Sequence, residues 1–153
     1  MMPDNPSYKR TFEDFSSGQI IKHWPGKTIT ESDNNLFCLL TMNHHPLHSD
    51  VEYAKKHQHG RIVVAGPYVL SLVIGMTVAD ISGAAIANLE YEKIVHHYPV
   101  FIGDTIHATS TIIGLKSSTT KSDRGIVELE TTAFNQDSKK VLTLQRKVLL
   151  PKR

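Results

Sequence analysis

One cysteine and one tryptophan occur in 153 residues, and neither sign of charge dominates. A lone Cys38 excludes an intrachain disulfide framework. It sits in the apolar run Leu36-Phe37-Cys38-Leu39-Leu40, where a small buried hydrophobe is expected rather than a nucleophile. Seventeen basic and 15 acidic residues leave a formal net charge of +2. That balance offers no electrostatic reason to expect nucleic acid or an anionic membrane as partner. An uninterrupted hydrophobic run is also lacking. Ile62 to Ile81 is the longest apolar region, but Gly66, Pro67, Ser71, Gly75, Thr77 and Asp80 break it, so it reads as core and not as a membrane span. The start, Met1-Met2-Pro3-Asp4-Asn5, lacks the basic-then-apolar pattern of a signal peptide. With a single thiol, a reducing cytoplasmic setting is the expectation. No internal repeat or low-complexity tract is visible. The 40% apolar and 21% charged residues are those of an ordinary globular protein. The length suits one domain, residues 1–153, with an ordered core over about 11–151.

The hydropathy pattern predicts an α+β fold. Residues 1–17 are polar and expected to be irregular. Gln19 to Ile29 reads as a first strand with a bend at Pro25-Gly26. Thr30-Glu31-Ser32-Asp33 has the form of a capping box, so a helix through Leu36–Leu40 follows. Pro46 ends any helix across Asn43–Ser49. Ser49-Asp50 can then cap a short helix over Val51–His57. Proline after Gly66 opens a third helix, and the residues from Tyr68 to Ala79 are apolar on nearly every face. Such a helix needs burial all round. Four strands can supply it: Ile86–Val100, Asp104–Leu115, Gly125–Phe134 and Val141–Leu150. In the third, Val127, Leu129 and Ala133 alternate with Glu128, Glu130 and Thr132. The simplest packing is a single hot-dog domain, an antiparallel sheet wrapped around a central helix.

Several segments carry a family likeness. The loop Thr41-Met42-Asn43-His44-His45-Pro46-Leu47-His48-Ser49-Asp50 resembles the hydratase motif of the MaoC-like family, the (R)-specific enoyl-CoA hydratases. Gly60-Arg61-Ile62-Val63-Val64-Ala65-Gly66 is similar to the segment that starts the family's central helix. Pro99-Val100-Phe101-Ile102-Gly103-Asp104-Thr105 and Arg146-Lys147-Val148-Leu149-Leu150 are similar to its later strands. Ala87-Asn88-Leu89-Glu90-Tyr91 and Thr41-Met42-Asn43 resemble the branch of mesaconyl-CoA hydratases, β-methylmalyl-CoA dehydratases and itaconyl-CoA hydratases. The resemblance implies a cofactor-independent hydro-lyase acting on an enoyl-CoA, with CoA present only as part of the substrate. It also implies a homodimer or higher homo-oligomer with the substrate at the subunit interface.

Hydration of an enoyl thioester needs a base for water, a proton for the α-carbon and donors for the enolate oxygen. His48 is the candidate base, since an imidazole titrates near neutral pH. The amides at the start of the third helix, around Ala65 and Gly66, are the candidate oxyanion donors, and Pro67 has none to offer. The sequence departs from the family motif where it matters most. Asn43 stands in place of the Asp, His45 in place of the Asn, and Ala65 in place of a His. An amide can orient water but cannot take its proton. Three outcomes stay open: His48 acts alone with Asn43 positioning water, His45 joins it as a second imidazole, or the chain binds acyl-CoA without turnover. A dicarboxylic substrate explains the missing Asp, because a second carboxylate beside it would be repelled. Arg61 or a histidine would then hold the substrate's free carboxylate.

Other readings of the same residues are plainer. His44, His45, His48 and Asp50 match no strong zinc spacing, so no metal is expected. His96-His97 lie on a strand with alternating faces, where a solvent-facing place is favoured over one of them approaching the ligand; Asp104 reads as a turn cap, Asp33 and Asn34 as helix-start residues, and Trp24 and Tyr98 as packing. A non-catalytic thioester-binding subunit and a thioesterase are the competing functions, since fold alone decides nothing.

Overall fold

The computed structural model describes residues 8–153. Of the segment over residues 1–17 that the sequence predicts to be irregular, residues 1–7 lie outside the described residues. From Tyr8 the chain leads into a single 3₁₀ turn, Phe12–Asp14, capped by Thr11. The expected first strand forms as two short pieces, β1 (Ile20–Lys22) and β2 (Lys27–Thr28), separated by the Trp24-Pro25-Gly26 bend.

Helix α1 (Glu31–Thr41) begins at the expected capping box. The Thr30 N–H donates to the Asp33 carboxylate at 2.8 Å, and the Asp33 N–H donates to Thr30 Oγ1 at 3.2 Å. Lys27 pairs with the same carboxylate at 2.8 Å and, with those cap bonds, holds its pKa down to about 2. The helix ends where Met42 turns left-handed at φ 59°. Helix α2 (Val51–Lys55) is capped by Asp50 through the Tyr53 N–H and stops two residues before His57. Helix α3 (Gly66–Met76) has Pro67 in its first turn and continues as one wide π-type turn, Val78–Ser82.

The strands β3 (Ala87–His96), β4 (Thr105–Ser117), β5 (Arg124–Phe134) and β6 (Lys140–Pro151) complete an antiparallel sheet. Its order is β1-β4-β5-β6-β3, with β2 also on β4. The alternation read in the sequence places Val127, Leu129 and Ala133 of β5 in the core, where Leu142, Leu144, Val148 and Leu150 of β6 join them.

That core is split in two. Ile106, Ala108, Ala133, Leu142 and Leu144 pack with Val69 and Val73 of α3. Ile112, Val127, Leu129, Val148 and Leu150 pack with Phe15, Ile21 and Ile81. Between the two clusters each strand contributes one buried polar residue: Ser110, Thr131 and Arg146. Here His23 Nδ1 meets Asp80 Oδ2 at 2.8 Å and His23 Nε2 meets Ser110 Oγ at 2.8 Å. Ser110 bonds Thr131 at 2.7 Å, and Arg146 donates to Thr77 at 2.8 Å. These pairs satisfy the His23, Ser110 and Thr131 side chains, whereas Arg146 bonds through Nη2 and keeps Nη1 buried without a partner.

The third helix corrects one expectation. Only Val69 and Val73 of α3 are fully buried, not the whole circumference. The sheet covers one side. On the other, Leu72, Gly75 and Met76 line a groove shared with Trp24 and Lys27. Trp24 is 53% exposed, so the packing expected of it is one-sided.

Candidate active site

The proline loop folds around its own side chains. Pro46–His48 forms one 3₁₀ turn, capped when the Leu47 N–H donates to His45 Nδ1 at 3.2 Å. The loop is then tied to the start of α3 by one amide. Asn34, 1% exposed on the inner face of α1, donates from Nδ2 to the His48 carbonyl at 3.0 Å. Its Oδ1 accepts the Ala65 N–H, also at 3.0 Å. Asn34 is therefore more than a helix-start residue: it fixes the distance between the His48 backbone and the α3 N-terminus. The signal for this was a polar residue four positions before the buried Cys38, on the side of the helix that faces inward.

Val63 supplies the second constraint. Its N–H donates to the Leu47 carbonyl at 3.2 Å, and its own carbonyl lies 2.6 Å from His48 Nδ1. A carbonyl can only accept, so Nδ1 carries the proton and donates it. Neutral His48 is thereby left with an unprotonated Nε2, the form a general base needs. The ring borders a cavity of about 260 Å³ whose wall includes Val63, Gly66, Val69, His96 and Tyr98.

The start of α3 lines the same cavity through Gly66. The Ala65 N–H is occupied by Asn34, and the Tyr68 N–H donates to the Ala65 carbonyl at 3.0 Å. Pro67 has no N–H. Among the described residues no acceptor takes the Gly66 N–H, so it is the free amide at the positive end of the helix.

The structure brings His48 and Gly66 together in one cavity. The other sequence-derived candidates stand around it. His45 is exposed, its ring centroid 5.9 Å from that of His48 and 6.0 Å from that of Tyr53. Asn43 is half-buried just after α1, with its N–H on the Cys38 carbonyl. Ala65 contributes its amide to Asn34 and not to the cavity. Arg61 lays its guanidinium over the Phe101 ring at 3.6 Å and faces a different pocket with Val51 and Ile102. Asp104 is the turn cap expected, accepting the Phe101 N–H at 2.9 Å. Among the described residues no group of three His, Cys, Asp or Glu side chains is placed to hold a metal.

His96 and His97 meet both readings made of them. Both are exposed, yet both border the cavity with His48. The reason is a register shift in the β3–β6 ladder between Glu92 and Val95, with Lys93 left-handed at φ 48°. A bulge re-aims the residues that follow it, and simple alternation does not reveal one. His97 bonds Thr143 Oγ1 at 2.8 Å, and Tyr98 carries Lys139 over its ring at 4.3 Å.

A family model described as mesaconyl-CoA hydratase matches residues 5–153. The chain belongs to the mesaconyl-CoA hydratase family. It is 37% identical over 144 residues to the mesaconyl-CoA hydratase of Cereibacter sphaeroides, covering 94% of this chain and 42% of that protein. It superposes on a MaoC domain protein dehydratase from Chloroflexus aurantiacus with TM-score 0.91 and 35% identity, over 100% of this chain and 43% of that one. A Mycobacterium tuberculosis protein described as a double hot-dog fold matches at TM-score 0.88 and 23% identity, over 95% of this chain and 45% of that one, which shows the fold. The protein is thus a hot-dog domain of the mesaconyl-CoA hydratase family. It spans about two-fifths of the length of the mesaconyl-CoA hydratase it matches.

Proposed function

We propose that this protein is a cofactor-independent hydro-lyase that adds water to, or removes it from, a short branched dicarboxylic enoyl-CoA of the mesaconyl type. The observation that carries the reading is the His48–Val63 hydrogen bond at 2.6 Å. It leaves Nε2 as a proton acceptor in the same cavity as the free Gly66 amide. In the hydration direction, His48 Nε2 takes a proton from water as the oxygen bonds the β-carbon. The π electrons move onto the thioester oxygen, where the Gly66 N–H meets the developing charge. The proton then passes from His48 to the α-carbon, and the base is restored.

Asn43 fits this reading. A dicarboxylic substrate brings its own anion, and a carboxamide at position 43 avoids a like-charge pair beside it. With Arg61 held over Phe101, a histidine of the cavity wall is the nearer candidate for the free carboxylate. The setting we propose is cytoplasmic, where the lone Cys38 thiol stays reduced. We also propose a homodimer or higher homo-oligomer. The support is apolar surface left exposed at the end of α1 and along the edge strand β3, which a second copy would cover.

The test follows the enoyl-thioester absorbance and free thiol together, with mesaconyl-CoA and crotonyl-CoA. Loss of the double bond without thiol release, faster with mesaconyl-CoA and reduced at least about 100-fold in His48→Ala, is expected. Equal or faster use of crotonyl-CoA overturns the dicarboxylic specificity. Free CoA would make the protein a thioesterase, and no change in either signal a binding subunit.

A further inference from the structure

Each donor aimed at a developing enolate oxygen adds stabilisation, and the helix start supplies one. Ala65 gives its N–H to Asn34, Pro67 has none, and Tyr68 turns back to Ala65. Only Gly66 remains. The nearest side chain to that glycine is His96. A Cβ built on Gly66 would lie 3.2 Å from His96 Cε1 and 3.3 Å from Nε2, closer than ordinary van der Waals contact. Glycine at this position therefore makes room for an imidazole edge as well as for a ligand. Among the described residues neither ring nitrogen of His96 has a hydrogen-bond partner, whereas His97 is engaged with Thr143 and His48 with Val63. His96 reaches this place from the edge strand β3, beyond the Glu92–Val95 register shift. It lies in the same cavity wall as His48 and Gly66.

We propose that His96 is the second oxyanion donor of the site, giving an imidazole N–H to the thioester oxygen beside the Gly66 amide. The inference rests on the acyl-thioester reading of the cavity. The division of labour is then clear. His48 moves the proton: the water O–H bond breaks, the β-carbon–oxygen bond forms, and the α-carbon later receives the proton. His96 keeps its own proton throughout and stabilises the electron pair while it resides on oxygen. Partial burial, with a smaller contribution from His97, lowers the His96 pKa, which favours the neutral ring. A neutral imidazole is an effective donor to a developing enolate, as its use at the carbonyl in triosephosphate isomerase shows. The role differs from the second base considered for His45.

The experiment compares wild type, His96→Ala and His96→Gln, the last retaining an N–H donor. Turnover of mesaconyl-CoA is measured alongside the isotope-edited infrared stretch of a carbonyl-labelled thioester bound to each. His96→Ala should lower kcat about 100-fold with a smaller change in KM. It should also lose much of the downward shift of the bound carbonyl stretch, and His96→Gln should recover part of both. An active wild type with unchanged kcat and carbonyl stretch in His96→Ala overturns the proposal and leaves the hydratase reading intact. A wild type that binds the thioester and shows a His96-dependent stretch without turnover overturns the hydratase reading and supports this donor. Absence of both signals in the wild type overturns both.

Discussion

At the scale of single residues, the site depends on an amide that does no chemistry. Asn34 bonds the backbones of His48 and Ala65 from a position 1% exposed. Asn34→Ala leaves a buried carbonyl and a buried N–H unpaired, so it should cost about 1–3 kcal/mol of stability. It also releases the loop, so activity should fall more than stability explains; a thermal melt beside a kcat measurement separates the two. Unchanged activity in a folded Asn34→Ala protein would contradict the bracing role. His48 was legible in the sequence because Pro46, His48 and Asp50 keep their motif spacing. The bracing by Asn34 was not, and His96 was legible only as the less favoured of two readings. The first belongs to the site only through long-range contacts, and the second is aimed by a bulge that leaves no mark on the hydrophobic alternation.

Among the elements, helix starts and strand faces were the most legible features. The capping box at Thr30, the Asp50 cap and Pro67 after Gly66 all mark helix ends that form as read. These are local signals with local causes. What local pattern did not show is the polar layer that divides the core, because Ser110, Thr131 and Arg146 acquire their meaning only when three strands align. That layer makes the fold sensitive to acid. Burial lowers the His23 pKa, aided by the nearby Arg146 and Arg10 charges and outweighing the opposing Asp80 carboxylate. A histidine depressed in the folded state is neutral in both states above its unfolded pKa near 6.5. Below that value the unfolded chain takes up a proton that the folded one resists. Stability is therefore full above about pH 6.5 and declines as pH falls toward the folded pKa. Thermal melts between pH 8 and pH 5 should show this decline, and His23→Gln should show a shallower one. A wild-type Tm that rises on acidification would contradict it.

For the whole molecule, one chain carries more apolar surface than it covers. Leu39, Leu40 and Met42 at the end of α1 are 67%, 76% and 80% exposed, and Leu89, Tyr91 and Val95 stand open along the edge strand β3. Contiguous exposure of this kind marks an interaction surface. The sequence predicted a helix enclosed on all sides, and the single chain encloses it on one; in the proposed assembly a second copy would supply further cover. Sedimentation equilibrium should report a dimer or larger species, with Leu40→Lys shifting it toward monomer. A wild-type protein monomeric at tens of micromolar would contradict the proposed assembly.

The most direct measurement is a crystal structure of the His48→Gln variant with mesaconyl-CoA bound. The account predicts a thioester oxygen about 3 Å from the Gly66 nitrogen, His96 at that same oxygen, and the β-carbon within one water of residue 48. A thioester seated away from the start of α3, with residue 48 turned from the double bond, would contradict it.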